Sequence, residues 1–277
     1  RLPREYTGVK PEILHGRIKV ARQALGKKLV ILGHHYQRDE IIQFADFRGD
    51  SFGLAQNAAE QTESDFIVFC GVHFMAETAD ILTRSNQKVI LPNLAAGCSM
   101  ADMAPTEDVL DAWDYLTDVL GDGIVPVTYM NSTAAIKAMC GRNNGIVCTS
   151  SNAVPVFRWA FQRGDRIVFF PDQHLGRNTG AKLGIHPDEM VVWNPFESQG
   201  GLSRSQLERA KVILWQGHCS VHTRFKVSHI DEARRRFPDV QIVVHPECTQ
   251  DVVNAADKDG STDFIIRTVN EAPPGSV

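Results

Sequence analysis

Leu29-Val30-Ile31-Leu32-Gly33-His34-His35-Tyr36 is the stretch from which the fold can be read: four apolar residues run into a glycine, two imidazoles and a phenol. A short apolar run rich in β-branched residues is a strand buried on both faces. In open parallel α/β sheets, ligands bind beyond the carboxyl ends of such strands. This strand therefore delivers polar groups to a site. The pattern returns twice. Ile124-Val125-Pro126-Val127-Thr128 runs into Tyr129-Met130-Asn131-Ser132, and Val240-Gln241-Ile242-Val243-Val244 runs into His245-Pro246-Glu247-Cys248. A segment of helical character follows each.

Working outward, apolar spacing predicts a helix over 11–25, stopped by Gly26. Further helices are expected over 39–47, 52–61 and 75–83, with Ser51 or Asp50 as the N-cap of the second. Buried strands are expected at 66–70 and 89–91, before a small-residue loop that carries Cys98. The next stretch predicts helices at 106–117 and 134–139, strands at 145–148, 166–170, 190–193 and 212–215, and a loop over 176–180. The strand at 212–215 leads into Gln216-Gly217-His218-Cys219. A basic helix over 230–237, a helix over 249–256 and Gly260-Ser261-Thr262 close the chain. The parts line up. Strand-end triplets stand at His34, Tyr129 and His245, helix-start hydroxyls at Ser51, Ser150 and Thr262, and thiols after a late apolar strand at Cys98 and Cys219. A period of roughly 100 residues is far above the ~20–50 of solenoid repeats. It divides the chain into 1–104, 105–222 and 223–277, the last stopping before its own cysteine would appear.

The 277 residues are 43% hydrophobic and 22% charged, an ordinary globular balance. A net charge of −4, from 29 basic and 33 acidic residues, offers no basic footprint for nucleic acid. No apolar run approaches the roughly 20 residues of a membrane span. The chain starts at Arg1 without Met and stops at Ser276-Val277, and both ends read as cuts. Six dispersed cysteines without a CxxC pair do not resemble a disulfide framework, which favours reduced thiols and a cytoplasmic location.

Imidazole, carboxylate and phenol are the common proton-transfer groups near neutral pH. Alternate residues on a strand share a face, so His34 pairs with Tyr36, Tyr129 with Asn131 and His245 with Glu247. Helix starts at Ser51, Ser150 and Thr262 would suit a substrate carrying carboxylates or a phosphate. The small-residue loops around Cys98 and Cys219 let thiolates approach a metal or cluster, although two ligands alone make an incomplete site.

The ordered set of motifs resembles the quinolinate synthase family, iron–sulfur enzymes of de novo NAD biosynthesis. The matching stretches are Gly33-His34-His35-Tyr36-Gln37, Gly49-Asp50-Ser51, Gly97-Cys98-Ser99-Met100-Ala101-Asp102, Tyr129-Met130-Asn131-Ser132 and Thr149-Ser150-Ser151-Asn152-Ala153. They continue in Phe170-Pro171-Asp172-Gln173-His174-Leu175-Gly176, Trp215-Gln216-Gly217-His218-Cys219, His245-Pro246-Glu247-Cys248 and Gly260-Ser261-Thr262. The resemblance implies an α/β fold of three similar αβα subdomains with parallel sheets about a pseudo-threefold axis. It implies a 4Fe–4S cluster held by Cys98, Cys219 and a third cysteine beyond Val277, with one iron open to substrate as a Lewis acid. The implied reaction condenses iminoaspartate with dihydroxyacetone phosphate to quinolinate, releasing phosphate and water, with a functional link to L-aspartate oxidase. By the family's pattern His34, Ser51, Tyr129, Met130, Asn131, Ser150, His245, Pro246, Glu247 and Thr262 hold the substrate. Tyr36 and Glu247, assisted by His245, transfer protons. Two other readings are a different iron–sulfur or zinc hydro-lyase and a non-enzymatic iron–sulfur sensor. The latter has little need for His245-Pro246-Glu247 at a strand end.

Overall fold

The structure is a computed structural model that describes residues 3–277. The chain divides into two compact units, one ending at Ala96 and one running from Gly97 to Val277.

In the first unit α1 (Pro11–Leu25) precedes β1 (Leu29–His34), and α2 (Asp39–Ile42), β2 (Phe47–Gly49), α3 (Ser51–Glu60), β3 (Phe66–Cys70), α4 (His73–Leu82) and β4 (Lys88–Ile90) follow. The sheet order is β2-β1-β3-β4, all parallel. The helix expected over 39–47 ends at Ile42, and Phe47 opens a strand instead. Pairing overrides helical propensity here. The Asp46 N–H donates to the Ile31 carbonyl at 2.7 Å, and the Asp46 carboxylate takes the Ile31 N–H at 2.8 Å and pairs with Arg22 of α1. With those groups engaged, Phe47 registers against Leu32.

The second unit opens with α5 (Ser99–Asp102) and α6 (Thr106–Leu120). It then builds β5 (Ile124–Tyr129), α7 (Ala134–Arg142), β6 (Ile146–Cys148), α8 (Ala153–Phe161), β7 (Arg166–Phe170), α9 (Gln173–Lys182), β8 (Met190–Trp193), α10 (Arg204–Arg209) and β9 (Val212–Trp215). These strands form a parallel sheet in the order β6-β5-β7-β9-β8. Its core includes Trp113, Leu116, Ile136, Phe170, Ile213 and Trp215. The Trp215 indole N–H reaches the Met103 carbonyl at 2.7 Å, so the largest core side chain leaves no polar atom unpaired. The unit continues through α11 (Val227–Arg236), β10 (Val243–Val244), α12 (Gln250–Ala255), β11 (Lys258–Asp259) and α13 (Thr262–Glu271). β10 and β11 pair in parallel over a small core of Ile230, Cys248 and Val252. The strand expected over 240–244 shrinks to Val243–Val244.

The loop expected over 176–180 lies inside α9. Its glycines are spacing devices, because Cβ atoms there would fall 2.4 Å from Leu214 Cδ2 and 2.5 Å from Met190 Sδ. The helix lies too close to β8 and β9 for side chains.

The repeat survives as topology. A strand, a helix, a short parallel strand and a second helix recur as β1-α2-β2-α3, β5-α7-β6-α8 and β10-α12-β11-α13. β1 and β5 both lie between their sheet neighbours, which makes their carboxyl ends switch points of the kind that hold ligands.

Gly217, two residues before Cys219, bridges in parallel to Asp172, and its carbonyl accepts the Gln173 N–H at 3.0 Å. A Cβ on Gly217 would stand 2.2 Å from the Pro171 carbonyl oxygen. Gly217→Ala is therefore expected to lower stability by about 1–3 kcal/mol through overpacking, read as a lower urea midpoint at unchanged m-value. An unchanged midpoint would show that the Cys219 loop yields without strain.

Candidate active site

At the end of β1, His34 is buried and Tyr36 is 71% exposed, their rings edge to face at 4.1 Å between centroids. The Tyr36 N–H donates to His34 Nδ1 at 3.4 Å. A neutral imidazole accepting at Nδ1 carries its proton on Nε2. Burial, aided by neighbouring His35 and only partly opposed by Asp50, lowers the His34 pKa to about 4, so the ring is a neutral donor at pH 7. Asp50, not Ser51, caps α3, accepting the Gly53 N–H at 2.7 Å. Ser51 is the first helical residue.

The second unit repeats the device. The Glu247 N–H donates to His245 Nδ1 at 3.3 Å, which again leaves the proton on Nε2. Burial lowers the His245 pKa to about 4; Glu247 opposes this and His222 reinforces it. Around Glu247, 4% exposed, three strand ends and a loop come together. The Tyr129 hydroxyl donates to Glu247 Oε1 at 2.8 Å, and His222 Nδ1 lies 2.9 Å from Oε2. His222 stacks on His245 with centroids 4.6 Å apart and planes 19° apart. Asn178 of α9 donates to the Pro246 carbonyl at 2.8 Å and the Cys248 carbonyl at 2.9 Å, pinning the loop that carries Glu247.

The electrostatics follow from these contacts. Burial pulls the His222 pKa down, but hydrogen bonds with Cys219 and Glu247, and the charges of both, outweigh it and raise the value to about 10. Burial pushes Glu247 up, but the His222 hydrogen bond, the neighbouring imidazoles and the Tyr129 hydroxyl win and hold it below the usual carboxylate range. An ionised carboxylate only accepts hydrogen bonds, so His222 is the donor and the pair is imidazolium–carboxylate. Asp172 shares this buried region. Its Oδ1 accepts the N–H groups of His174 and Leu175 at 2.7 and 2.8 Å and caps α9. Its Oδ2, on a residue with 0% exposure, has no hydrogen-bond partner among the described residues. Burial first, and the Glu247 charge second, push this carboxyl well above its usual range.

Cys98 and Cys219 both belong to this unit and are partly exposed, and the six cysteines are all free. The Ser99 and Ser220 hydroxyls, each one residue beyond a thiol, are hydrogen-bonded at 3.2 Å, which draws the two loops together. Burial raises the Cys98 thiol, partly opposed by the backbone N–H groups of Ala101 and Met100. The set of soft thiols in small-residue loops fits an iron–sulfur group. Among the described residues Cys219, His222 and Glu247 also place one ligand atom each within 4.8 Å of one another.

The family described as quinolinate synthetase A protein matches residues 17–277. The chain belongs to the quinolinate synthetase A family. It is 59% identical over 276 residues to the quinolinate synthase of Corynebacterium glutamicum, covering 99% of this chain and 70% of that one. It is 55% identical over 265 residues to the Streptomyces coelicolor quinolinate synthase, covering 95% and 67%. It is 55% identical over 275 residues to that of a Geobacillus species, covering 99% and 75%. Family membership separates the enzyme from the sensor reading, and the residues above are read as an enzyme's.

Of the expected site residues, the second unit brings Tyr129, His245 and Glu247 into one network. Met130 and Pro246 are buried beside them in sequence, and Asn131 is partly buried. The expected caps shift by one or two residues: Ser261 caps α13, with Thr262 the first helical residue, and Asn152 precedes α8, with Ser150 in the turn before it. The cap work at α3 and α13 falls to Asp50 and Ser261, so the Ser51 and Thr262 hydroxyls are not spent on it, and α8 has no side-chain cap. Reading the sequence missed His222, Asp172 and Asn178. The Cys219-x-x-His222 spacing was the available signal for the first. Asp172 stood in a matching motif without a role.

Asp172→Asn tests the raised pKa of this carboxyl. A folded pKa above the unfolded value of about 3.9 stabilises below that value and is lost as pH rises. Asn keeps the cap acceptor and does not titrate. The variant's thermal midpoint should exceed wild type at neutral pH, and the gain should fade on acidification to about pH 4. A less stable Asn variant at neutral pH would mean that Asp172 folds ionised.

Proposed function

We propose that this chain works through the Glu247–His222 ion pair as its acid–base centre, condensing iminoaspartate with dihydroxyacetone phosphate to quinolinate with loss of phosphate and water. The observation that carries the reading is a buried carboxylate held between a phenol and an imidazolium at the ends of parallel strands. Ring formation with loss of water needs proton removal from carbon and proton delivery to departing oxygen. Glu247 is ionised, takes the proton from carbon and returns that proton to the departing oxygen. His222 stays protonated and steadies the carboxylate through the hydrogen bond they share. Tyr129 orients the second carboxylate oxygen, and His245 presents a neutral Nε2–H donor to substrate oxygen. His34 of the first unit has the same tautomer and the same task, with Tyr36 as a second proton-transfer group. Ser51, Ser150 and Thr262, with Met130, Asn131 and Pro246, are assigned to holding the substrate.

Cys98 and Cys219 are assigned as two ligands of a 4Fe–4S cluster, the third belonging in the family's pattern to sequence beyond Val277. When bound, that cluster supplies an open iron that polarises a substrate oxygen. The division at 104 and 222 into three subdomains about a pseudo-threefold axis is part of the same reading, supported by the recurring strand–helix–strand–helix topology. So are a cytoplasmic location and a functional link to L-aspartate oxidase as a source of iminoaspartate. Among the described residues no helix is long and apolar enough to cross a membrane.

Chelating the iron should remove brown colour and quinolinate formation together, and activity in colourless protein would overturn the cluster assignment. Glu247→Gln should lower single-turnover rate by about 10²–10⁴-fold, the range of acid–base catalysis. The amide leaves either Tyr129 or His222 facing another donor, so a stability loss of about 1–3 kcal/mol accompanies it. The rate is therefore compared at matched folded fraction. A value within about threefold of wild type, far inside the acid–base range, would remove Glu247 from the mechanism.

A further inference from the structure

The trio Cys219, His222 and Glu247 has a coordination chemistry of its own. The three ligand atoms lie within 4.8 Å of one another, and His222 Nδ1 and Glu247 Oε2 are already 2.9 Å apart. Cys98 does not join this grouping. A turn assembles the first two donors: the Thr223 N–H and hydroxyl both bond the Cys219 carbonyl, at 3.1 and 3.0 Å, which brings the Cys219 and His222 side chains to one side. The orientation of each ligand is fixed from outside. His222 lies flat on His245, and the Tyr129 hydroxyl holds the other oxygen of Glu247 at 2.8 Å. Outer partners of this kind are what make a ligand set a site.

We propose that in the cluster-free protein Cys219, His222 and Glu247 bind a single divalent cation of the Zn²⁺ class, in competition with iron–sulfur assembly for the Cys219 thiolate. Bonds of about 2.3 Å to sulfur and 2.0–2.2 Å to nitrogen and oxygen place tetrahedral ligand atoms about 3–4 Å apart. The trio reaches that arrangement by small side-chain adjustment. One thiolate, one imidazole and one carboxylate suit a borderline ion better than Mg²⁺ or Ca²⁺, which take oxygen throughout, or Cu⁺, which takes sulfur. Three protein ligands leave the fourth position to water. Entry of the ion releases the His222 Nδ1 proton, and the thiol proton where Cys219 carries one, to solvent. One sulfur cannot serve both this ion and a cluster, so the two occupants exclude each other. The competition rests on Cys219 being a cluster ligand, whereas the cation site itself does not.

The test uses the 277-residue chain, stripped of iron under anaerobic conditions, with Zn²⁺ and Co²⁺ as probes. The expected result is one ion per chain, a thiolate-to-cobalt charge-transfer band with the strong visible bands of a four-coordinate ion, and one sulfur in the zinc X-ray absorption spectrum. His222→Ala should weaken binding by more than the roughly 10–100-fold that loss of an outer partner costs. His222→Gln, which keeps more of the volume, should do the same, whereas Cys98→Ser should retain binding. Zinc added first should block the brown chromophore on later addition of iron and sulfide. Two sulfurs in the wild-type spectrum, which needs no variant to fold, would overturn the proposal. So would binding abolished by Cys98→Ser and indifferent to His222. If no chromophore forms even without zinc, while cobalt binding still depends on His222, the cation site stands and the competition falls, since the cluster's third cysteine is assigned to sequence beyond Val277.

Discussion

A buried carboxylate is costly unless its charge and its lone pairs are both answered, and in the second unit Glu247 sets that condition. It is answered by a phenol from the end of β5, by an imidazolium from the turn after β9, and by an adjacent imidazole whose Nδ1 takes its own N–H. These groups lie 118, 25 and 2 residues from Glu247 in sequence. Much of the local architecture follows from bringing them together. Asn178 ties the Glu247 loop to α9, and α9 approaches β8 and β9 closely because its inner positions are glycine. The same helix is capped by Asp172, whose carboxyl is pushed well above its usual range by burial and by the Glu247 charge. The pKa values of two buried acids near each other move apart when only one has a cation beside it.

Much of this was legible in the sequence, and the boundary is physical. The unbroken apolar runs announced parallel strands because strands buried on both faces need no polar alternation. The polar triplets announced the site because strand ends are where such sheets deliver side chains. Period-two reasoning put His245 and Glu247 on one side, and they bracket one hydrogen-bonded turn. What failed did so where a distant partner decides the local outcome. Phe47 left its expected helix because Asp46 is claimed by Ile31 and Arg22. The glycines of 176–180 looked like a loop because nothing local says that the Leu214 and Met190 side chains lie within 2.5 Å of where their Cβ atoms would stand. His222 was passed over because its role depends on Glu247, and one residue type in a loop does not reveal its partner.

The cap positions show a finer limit. Ser51, Ser150 and Thr262 stand at expected helix starts, with Asp50 as the alternative cap to Ser51, and hydroxyls at helix starts are usually caps. Asp50 and Ser261 hold those bonds instead, each one position earlier. A displacement of one residue changes the meaning. A capping hydroxyl spends its lone pair on the helix, whereas a hydroxyl at the first helical residue stands beside the open N–H groups of the first turn. That is the composition an anionic substrate group requires, and the backbone supplies it whichever neighbour does the capping.

The recurrence of one hydrogen bond in both units carries the argument furthest. At His34 and at His245, the backbone N–H two residues on is donated to Nδ1, and burial lowers both rings to about 4. Exposed His186 accepts the Asp188 N–H in the same way, so the turn is local geometry, and what sets His34 and His245 apart is burial at a strand end. Shared ancestry of strand ends supplies a reason for that burial, and so does chemistry. A cationic imidazole would compete with His222 for Glu247, whereas a neutral ring that donates at Nε2 binds substrate oxygen and leaves the ion pair intact. The pKa of His222 is high because Cys219 and Glu247 both bond its ring, and that of His245 is low because its ring is buried without such a bond. The two rings stack 4.6 Å apart, but His245 lies deeper, so depth and partner together separate acid from donor.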